Sequence, residues 1–180
     1  MEKIKTEIDK RKKEFKTDSY PISIGEIKSM YESNEIVINP DFQRLFRWSS
    51  YQKTKLIESI LLGIPIPPIF VYQRDDGLWE VVDGLQRLST ILQFFGILKK
   101  SDSSMYDPLV LSETKYLPSL KNTVWQKKNE YENELPLSLQ LYFKRSKFNF
   151  SIILNDSDPT AKFEVFQRLN TGGTFADHSL

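Results

Sequence analysis

The residues best equipped for chemistry stand together at Asp83-Gly84-Leu85-Gln86-Arg87, a carboxylate, a glycine, an amide and a guanidinium in one short turn. The pattern before them, Glu80-Val81-Val82, is that of a β-strand. Leu88, Ile91, Leu92 and Phe95 follow at helical spacing, and Gly96 is a natural stop. A strand that enters a helix through a glycine leaves unpaired backbone amides at the helix start. Together with the positive end of the helix dipole they form an anion site. Arg87, one turn in, can lean back over that opening and add a planar fork for a phosphate. The same residues also read as a plain helix start, because Asp83 is a competent N-cap and Gln86 resembles the reciprocal partner of a capping box. The segment by itself leaves both readings open.

Two further segments carry polar groups in unusual company. Asn39-Pro40-Asp41-Phe42-Gln43-Arg44-Leu45-Phe46-Arg47-Trp48 interleaves two arginines and a glutamine with three aromatics. It is too polar for a core strand and too aromatic for an idle loop, and suits an anion-facing loop. Asn170-Thr171-Gly172-Gly173-Thr174 follows a helical pattern that begins at Asp158-Pro159, an N-cap aspartate with proline at the first helical position. It reads as a C-terminal cap or as a polar turn that offers backbone amides and the Asn170 side chain to a ligand.

The elements that must position these groups follow from periodicity. Met1–Thr17 places Ile4, Ile8 and Phe15 on one face of a basic amphipathic helix or arm, expected to be solvated, so residues 1–20 are set apart from a domain over 21–180. Ser23-Ile24-Gly25-Glu26 opens a helix through Tyr31, and Ile36-Val37-Ile38 is a short strand. Ser49 or Ser50 caps a helix with Leu56, Ile57, Ile60 and Leu61 inward, stopped by Gly63 and Pro65. The Pro-rich run Ile64–Pro68 leads extended into a hairpin, Ile69–Tyr72 and Leu78–Val82 about the turn Asp75-Asp76-Gly77, both strands apolar enough to be covered on both faces. Leu109–Leu111 reads as a short strand and Tyr116–Leu135 as a mobile helical insertion. Pro136–Lys144 reads as a helix with Leu137, Leu141 and Tyr142 inward. Phe148, Phe150, Ile152 and Leu154 alternate as a strand, and Phe163, Phe166 and Leu169 line the inner face of the last helix.

Composition narrows the chemistry. The chain has 180 residues and a formal net charge of +1, so any nucleic-acid contact must come from a local patch. With no cysteine and only His178 as histidine, a thiolate metal site, a zinc hydrolase, a His-dependent nuclease and a Ser-His-Asp triad are all disfavoured. No secretory or membrane-spanning pattern is present, and a soluble cytoplasmic protein with no membrane partner is expected. The ending just beyond a Gly-Gly turn suggests a domain of a longer polypeptide.

In order, the three segments Asn39–Trp48, Val82–Thr90 and Phe163–Gly173 resemble the N-terminal domain of the GmrSD-type modification-dependent restriction endonucleases. That domain is similar to the ParB and sulfiredoxin nucleotide-binding fold. The resemblance covers Ile22 to the C-terminus, and DG-x-QR is its most specific part. Leu85 departs from the glutamine usual there, and the helix and nuclease domain that commonly follow are not within this chain. The resemblance implies an α+β fold, a ParB/sulfiredoxin-like small mixed sheet flanked by helices, holding a nucleoside triphosphate (NTP) site dependent on Mg2+. Asp83, Gln86 and Arg87 would be catalytic, with Asp83 the metal ligand and Gln86 ordering water or a phosphate oxygen. Gly84 would admit phosphate closely, Gln43, Arg44 and Arg47 would supply charge or hydrogen bonds from the facing loop, and Asn170 and Gly172 would close the pocket. DNA and a nuclease domain or subunit are the implied partners of the full-length protein. The parts are chemically coherent, since phosphoryl transfer needs positioning and charge compensation more than histidine or cysteine. Two other readings stay open: a DNA-backbone-binding or nicking module without turnover, extended by Lys144, Arg145 and Lys147, and a regulatory interaction domain with a degenerate site.

Overall fold

Ser49, Ser23 and Asp158 each do what their position before an apolar-periodic run demands. In a computed structural model that describes residues 2–39 and 47–176, with side chains for all of these except 162 and 170–176, each caps a helix. Ser23 accepts from the Glu26 amide at 3.2 Å. Ser49 and Gln52 form a reciprocal capping box. Asp158 accepts from the Thr160 amide at 2.8 Å. The helices so started are α2 (Ile24–Glu32), α3 (Ser50–Leu62) and α6 (Pro159–Ala176), beside α1 (Glu2–Lys12), α4 (Leu85–Phe94) and α5 (Leu137–Arg145).

The strands are β1 (Thr17–Ser23), β2 (Ile36–Val37), β3 (Ile69–Gln73), β4 (Trp79–Asp83), β5 (Thr123–Val124), β6 (Asn133–Glu134) and β7 (Lys147–Ile153). Five of them form one mixed sheet in the order β1-β7-β3-β4-β2, which is the small mixed sheet flanked by helices that the sequence leads one to expect. The β3–β4 hairpin is antiparallel, with Val71 opposite Val81. β4 runs parallel to β2, with Val37 level with Glu80, so both strands end at the same edge of the sheet. β1 pairs with β7 along its whole length and crosses residue 20, tying the basic N-terminal segment to the sheet. α1 itself buries no residue, as a solvated helix should.

Alternation sorts the sheet into two faces. Ile69, Val71, Trp79, Val81, Phe148, Phe150 and Ile152 point into a core closed by apolar residues of α2, α3, α4 and α5. The other face of the hairpin, Phe70, Tyr72, Glu80 and Val82, is only half-buried, so it is not covered as fully as the apolar composition suggests. α6 lies over that face and packs on β4. α6 also departs from expectation: Phe163 is exposed, and the helix runs through Asn170, Gly172 and Gly173 without the turn anticipated there.

The connection Tyr116–Leu135 is not a helical insertion. It contains a single 3-10 turn, Pro118–Leu120, and the two-residue parallel pair β5 and β6. Trp125 anchors it, packing edge-on against Phe94 and Phe95 with centroids at 5.7 and 4.6 Å. Phe143, fully buried, completes this aromatic cluster. It is Phe143 that faces inward from α5, whereas Leu137 and Tyr142 are exposed. Leu109 and Leu111 are buried without forming a strand, Leu111 exchanging backbone hydrogen bonds with Asn122 and Thr123.

A second clasp is polar. Glu58 on α3 is buried at 1 % exposure, where an unpaired carboxylate would be costly. It accepts from Lys55 Nζ and Thr114 Oγ1, and Thr114 Oγ1 in turn accepts from the Leu117 amide. Thr54, one turn earlier, accepts from the Ser112 amide at 3.0 Å. Burial alone pushes the Glu58 carboxyl up, but the hydrogen bonds from Lys55 and Thr114, the Lys55 charge and the Tyr116 amide together hold it below its ordinary value. A carboxylate depressed on folding stabilises above its unfolded pKa, and that contribution fades as pH falls through the folded value. Thermal unfolding between pH 6 and pH 3 tests this, both limits being roughly centred on the ordinary glutamate pKa of about 4.3. The acid loss of Tm is expected to be shallower in Glu58→Gln than in the wild type.

Candidate functional site

The turn between β4 and α4 is built on Gly84. Its φ of +93° lies in the left-handed region, and it serves as the helix N-cap with no side-chain hydrogen bond closing the helix start. Asp83 is therefore the last residue of the strand, one place too early to act as the N-cap the sequence suggests. A Cβ at position 84 would stand 3.1 Å from Ile69 Cγ1, 3.3 Å from Ile69 Cα and 3.1 Å from Arg87 Nη2. Glycine is required here by backbone conformation and by the close approach of the helix to β3.

Arg87 folds back from the first turn into this notch. Nη2 donates to the Pro68 carbonyl at 2.9 Å and lies 3.6 Å from Asp83 Oδ2. The side chain is 17 % exposed, against 37 % for Asp83, so the guanidinium is held inside while the carboxylate reaches solvent. Burial pushes the Arg87 pKa down and the Asp83 charge restores part of it. An arginine remains charged under such a shift. Arg87 Nε is buried without a hydrogen-bond partner among the described residues. A buried cation held by two partners is a fixed, pre-oriented charge with one donor left unused.

Gln86 reaches outward. Its Oε1 accepts from the backbone amides of Arg47 and Trp48, both at 3.2 Å, across some forty residues of sequence. The loop segment carrying Arg47 is thereby moored to the helix start. Arg47 is exposed, and Trp48 packs partly buried against the core. Gln43 and Arg44 lie outside the described residues. Asn170 and Gly172 fall within α6, and their side-chain positions also lie outside what is described. The structure thus brings together Asp83, Gly84, Gln86, Arg87 and the Arg47 backbone. The Pro68 carbonyl joins them without any sequence signal beyond the rigid proline run that positions it.

Asp83 suits Mg2+ in a particular way. No group of three or more metal-ligating side chains occurs among the described residues. Mg2+ commonly takes one or two carboxylates and draws its other ligands from substrate phosphates and water. A single, solvent-reachable carboxylate beside an arginine fits that use and does not fit a metal held by protein alone. No described helix is long and apolar enough to cross a membrane.

A family model described as GmrSD restriction endonuclease, N-terminal domain, matches residues 25–178. No curated protein and no solved structure matches the chain.

Two measurements probe this geometry. Gly77 has a φ of +84° with nothing within 4 Å of a Cβ, so Gly77→Ala carries backbone strain alone, about 1–2 kcal/mol. Gly84→Ala adds the clash with Ile69 and is expected to cost more, by roughly 1–3 kcal/mol in chemical denaturation. In Gln86→Ala the Arg47 and Trp48 amides lose their acceptor. At about 1 kcal/mol per hydrogen bond their hydrogen exchange should quicken about fivefold, with core amides unchanged.

Proposed function

The chain belongs to the GmrSD restriction endonuclease N-terminal domain family, which ties it to a restriction system, and on that premise we propose that it binds an NTP at the Asp83–Arg87 turn and hydrolyses it. The observation that carries this reading is Arg87: a buried guanidinium, fixed by Pro68 and Asp83, with an unsatisfied Nε at an uncapped helix start. Helix-start amides and a pre-oriented arginine are the groups a polyphosphate needs.

The residues divide the work. The amides at the start of α4 and the Arg87 guanidinium hold phosphate oxygens and offset the charge that builds during transfer. Gln86 fixes the Arg47 segment beside them, so that cationic charge from the loop approaches the same anion. Asp83 would hold Mg2+ jointly with phosphate oxygens, and the metal when bound supplies charge neutralisation there. Turnover would be coupled to DNA sensing or cleavage through a nuclease domain or subunit of the full-length protein.

Phosphate release from ATP, GTP, CTP and UTP with Mg2+ tests this. Arg87→Ala is expected to slow release by roughly 10²–10³-fold, as loss of one charge-stabilising contact does. Equal rates in wild type and variant would remove the assignment. A DNA-binding module without turnover would instead give no release and an affinity for DNA that weakens steeply with salt.

A further inference from the structure

α1 buries no residue, and at 11 residues it is shorter than the roughly 12–15 that an isolated helix needs to persist in water. Its one apolar stripe is open to solvent, with Ile4 62 % exposed and Ile8 47 %. Arg11 and Lys12 continue that face at i+7 and i+8 from Ile4, and Lys5 flanks it, while Glu2 and Asp9 lie on the far side. Arg11 is held by Glu14, whereas Lys5 and Lys12 make no ion pair among the described residues. The helix therefore presents two isoleucines beside two ammonium groups that are not engaged.

The complement of that face lies at the same edge of the molecule. Tyr20, Ile22, Met30 and Trp79 form the apolar floor of a groove of about 370 Å3 between β1, α2 and the hairpin, and Glu26 and Glu35 stand exposed on its rim. None of the described lining residues is basic. Tyr20 lies against Trp79 with ring centroids at 5.9 Å and is itself exposed, so the groove opens beside it. β1 is an outer strand, but Pro21 makes it a poor template for a further strand, and this edge suits a helix laid alongside. The registers set Thr17 opposite Ile153 and Ile153 level with Tyr72, next to the Gln73–Trp79 pair. α1 thus leaves the sheet at the end of the groove that Gly77 borders.

We propose that α1 of one copy docks in this groove of a second copy, and the reverse, giving a twofold dimer by exchange of N-terminal helices. Ile4 and Ile8 cover the floor between Tyr20 and Trp79, and Lys5 and Lys12 face Glu26 and Glu35. A basic helix with two open isoleucines and an acid-rimmed apolar groove on one chain are self-complementary, which is what a twofold interface requires. Apolar burial supplies the affinity and the charges fix the register. The contact draws on α1 and β1, which precede the residues matched by the family model, and it is independent of the nucleotide reading.

Sedimentation velocity of the full chain over a micromolar concentration series tests this, and a dimer is expected. Ile8→Asp, at an exposed position that folding of the single chain does not depend on, should weaken it by at least about tenfold, as loss of a buried isoleucine does. Glu35→Lys, also at an exposed position, sets like charges together and should weaken it as well. Mixing the two variants should restore dimer, because in the mixed pair one helix and the groove it enters are both intact. A wild type that stays monomeric overturns the proposal. A dimer that either variant leaves unchanged overturns it too, loss by Ile8→Asp alone pointing to α1 pairing with α1. A mixture no tighter than either variant alone shows that helix and groove do not meet, with the same consequence.

Discussion

At Gly84 the first turn of α4 rests against the backbone of Ile69 with no side chain between them. That approach fixes where the helix begins, and the Arg87 guanidinium lies beside the space that a side chain at 84 would enter. The packing is hydrophobic and steric, but its consequence is electrostatic. A cation is kept in a low-dielectric setting, where fields act over short distances with little screening. The Pro68 carbonyl fixes its direction, and Pro67 and Pro68 cannot relax into helix to release it. A buried arginine with an idle Nε is an expensive arrangement for stability alone, and rigidity around it is what maintains it.

That rigidity comes from the opposite side of the helix. Leu88, Ile91, Leu92 and Phe94 are wholly buried, and Phe94 and Phe95 meet Trp125 and Phe143 edge to face. The aromatic cluster joins α4 to α5 and to the long connection before it. The Glu58–Thr114 clasp fastens the same connection to α3 by polar means. A chain segment with little regular structure thus acts as a brace, because its few large side chains are placed where two helices meet.

Local chemistry made much of this legible. Caps at Ser23, Ser49 and Asp158, the stop at Gly63, the hairpin turn at Gly77 and the alternation in Phe148–Ile152 each follow from neighbours in sequence. What escaped depends on partners far away. β1 is polar and contains Pro21, features of a loop, yet as an edge strand bonded only to β7 it tolerates both. Tyr116–Leu135 has no period because the residues it turns inward, Leu120, Val124, Trp125 and Leu135, are irregularly spaced. Glu58 and Thr54 interrupt the apolar face of α3 for contacts made near residue 114. α6 passes through two glycines because each costs a helix only about 1 kcal/mol, which is not a stop signal unless the left-handed turn gains something. Of the site, the strand–glycine–helix turn was readable, whereas the hold of Gln86 on Arg47 and Trp48 was not, since nothing in either segment announces the other.

The distribution of the three polar segments along the chain has a topological cause. The described parts of all three lie close to β4. Asn39 lies two residues beyond the end of its parallel neighbour β2 while Arg47 and Trp48 are bonded to Gln86, Val82–Thr90 is its own continuation into α4, and Phe163–Gly173 belongs to the helix laid across its outer face. Parallel strands that end at one edge send their outgoing loops to the same place, and a helix begun there turns its amide end toward them. A protein with a net charge of only +1 has no long-range field with which to gather an anion. A fixed guanidinium, helix-start amides and the Arg47 and Trp48 backbone held by Gln86 meet at one strand end, so positive potential is local to that end rather than spread over the molecule.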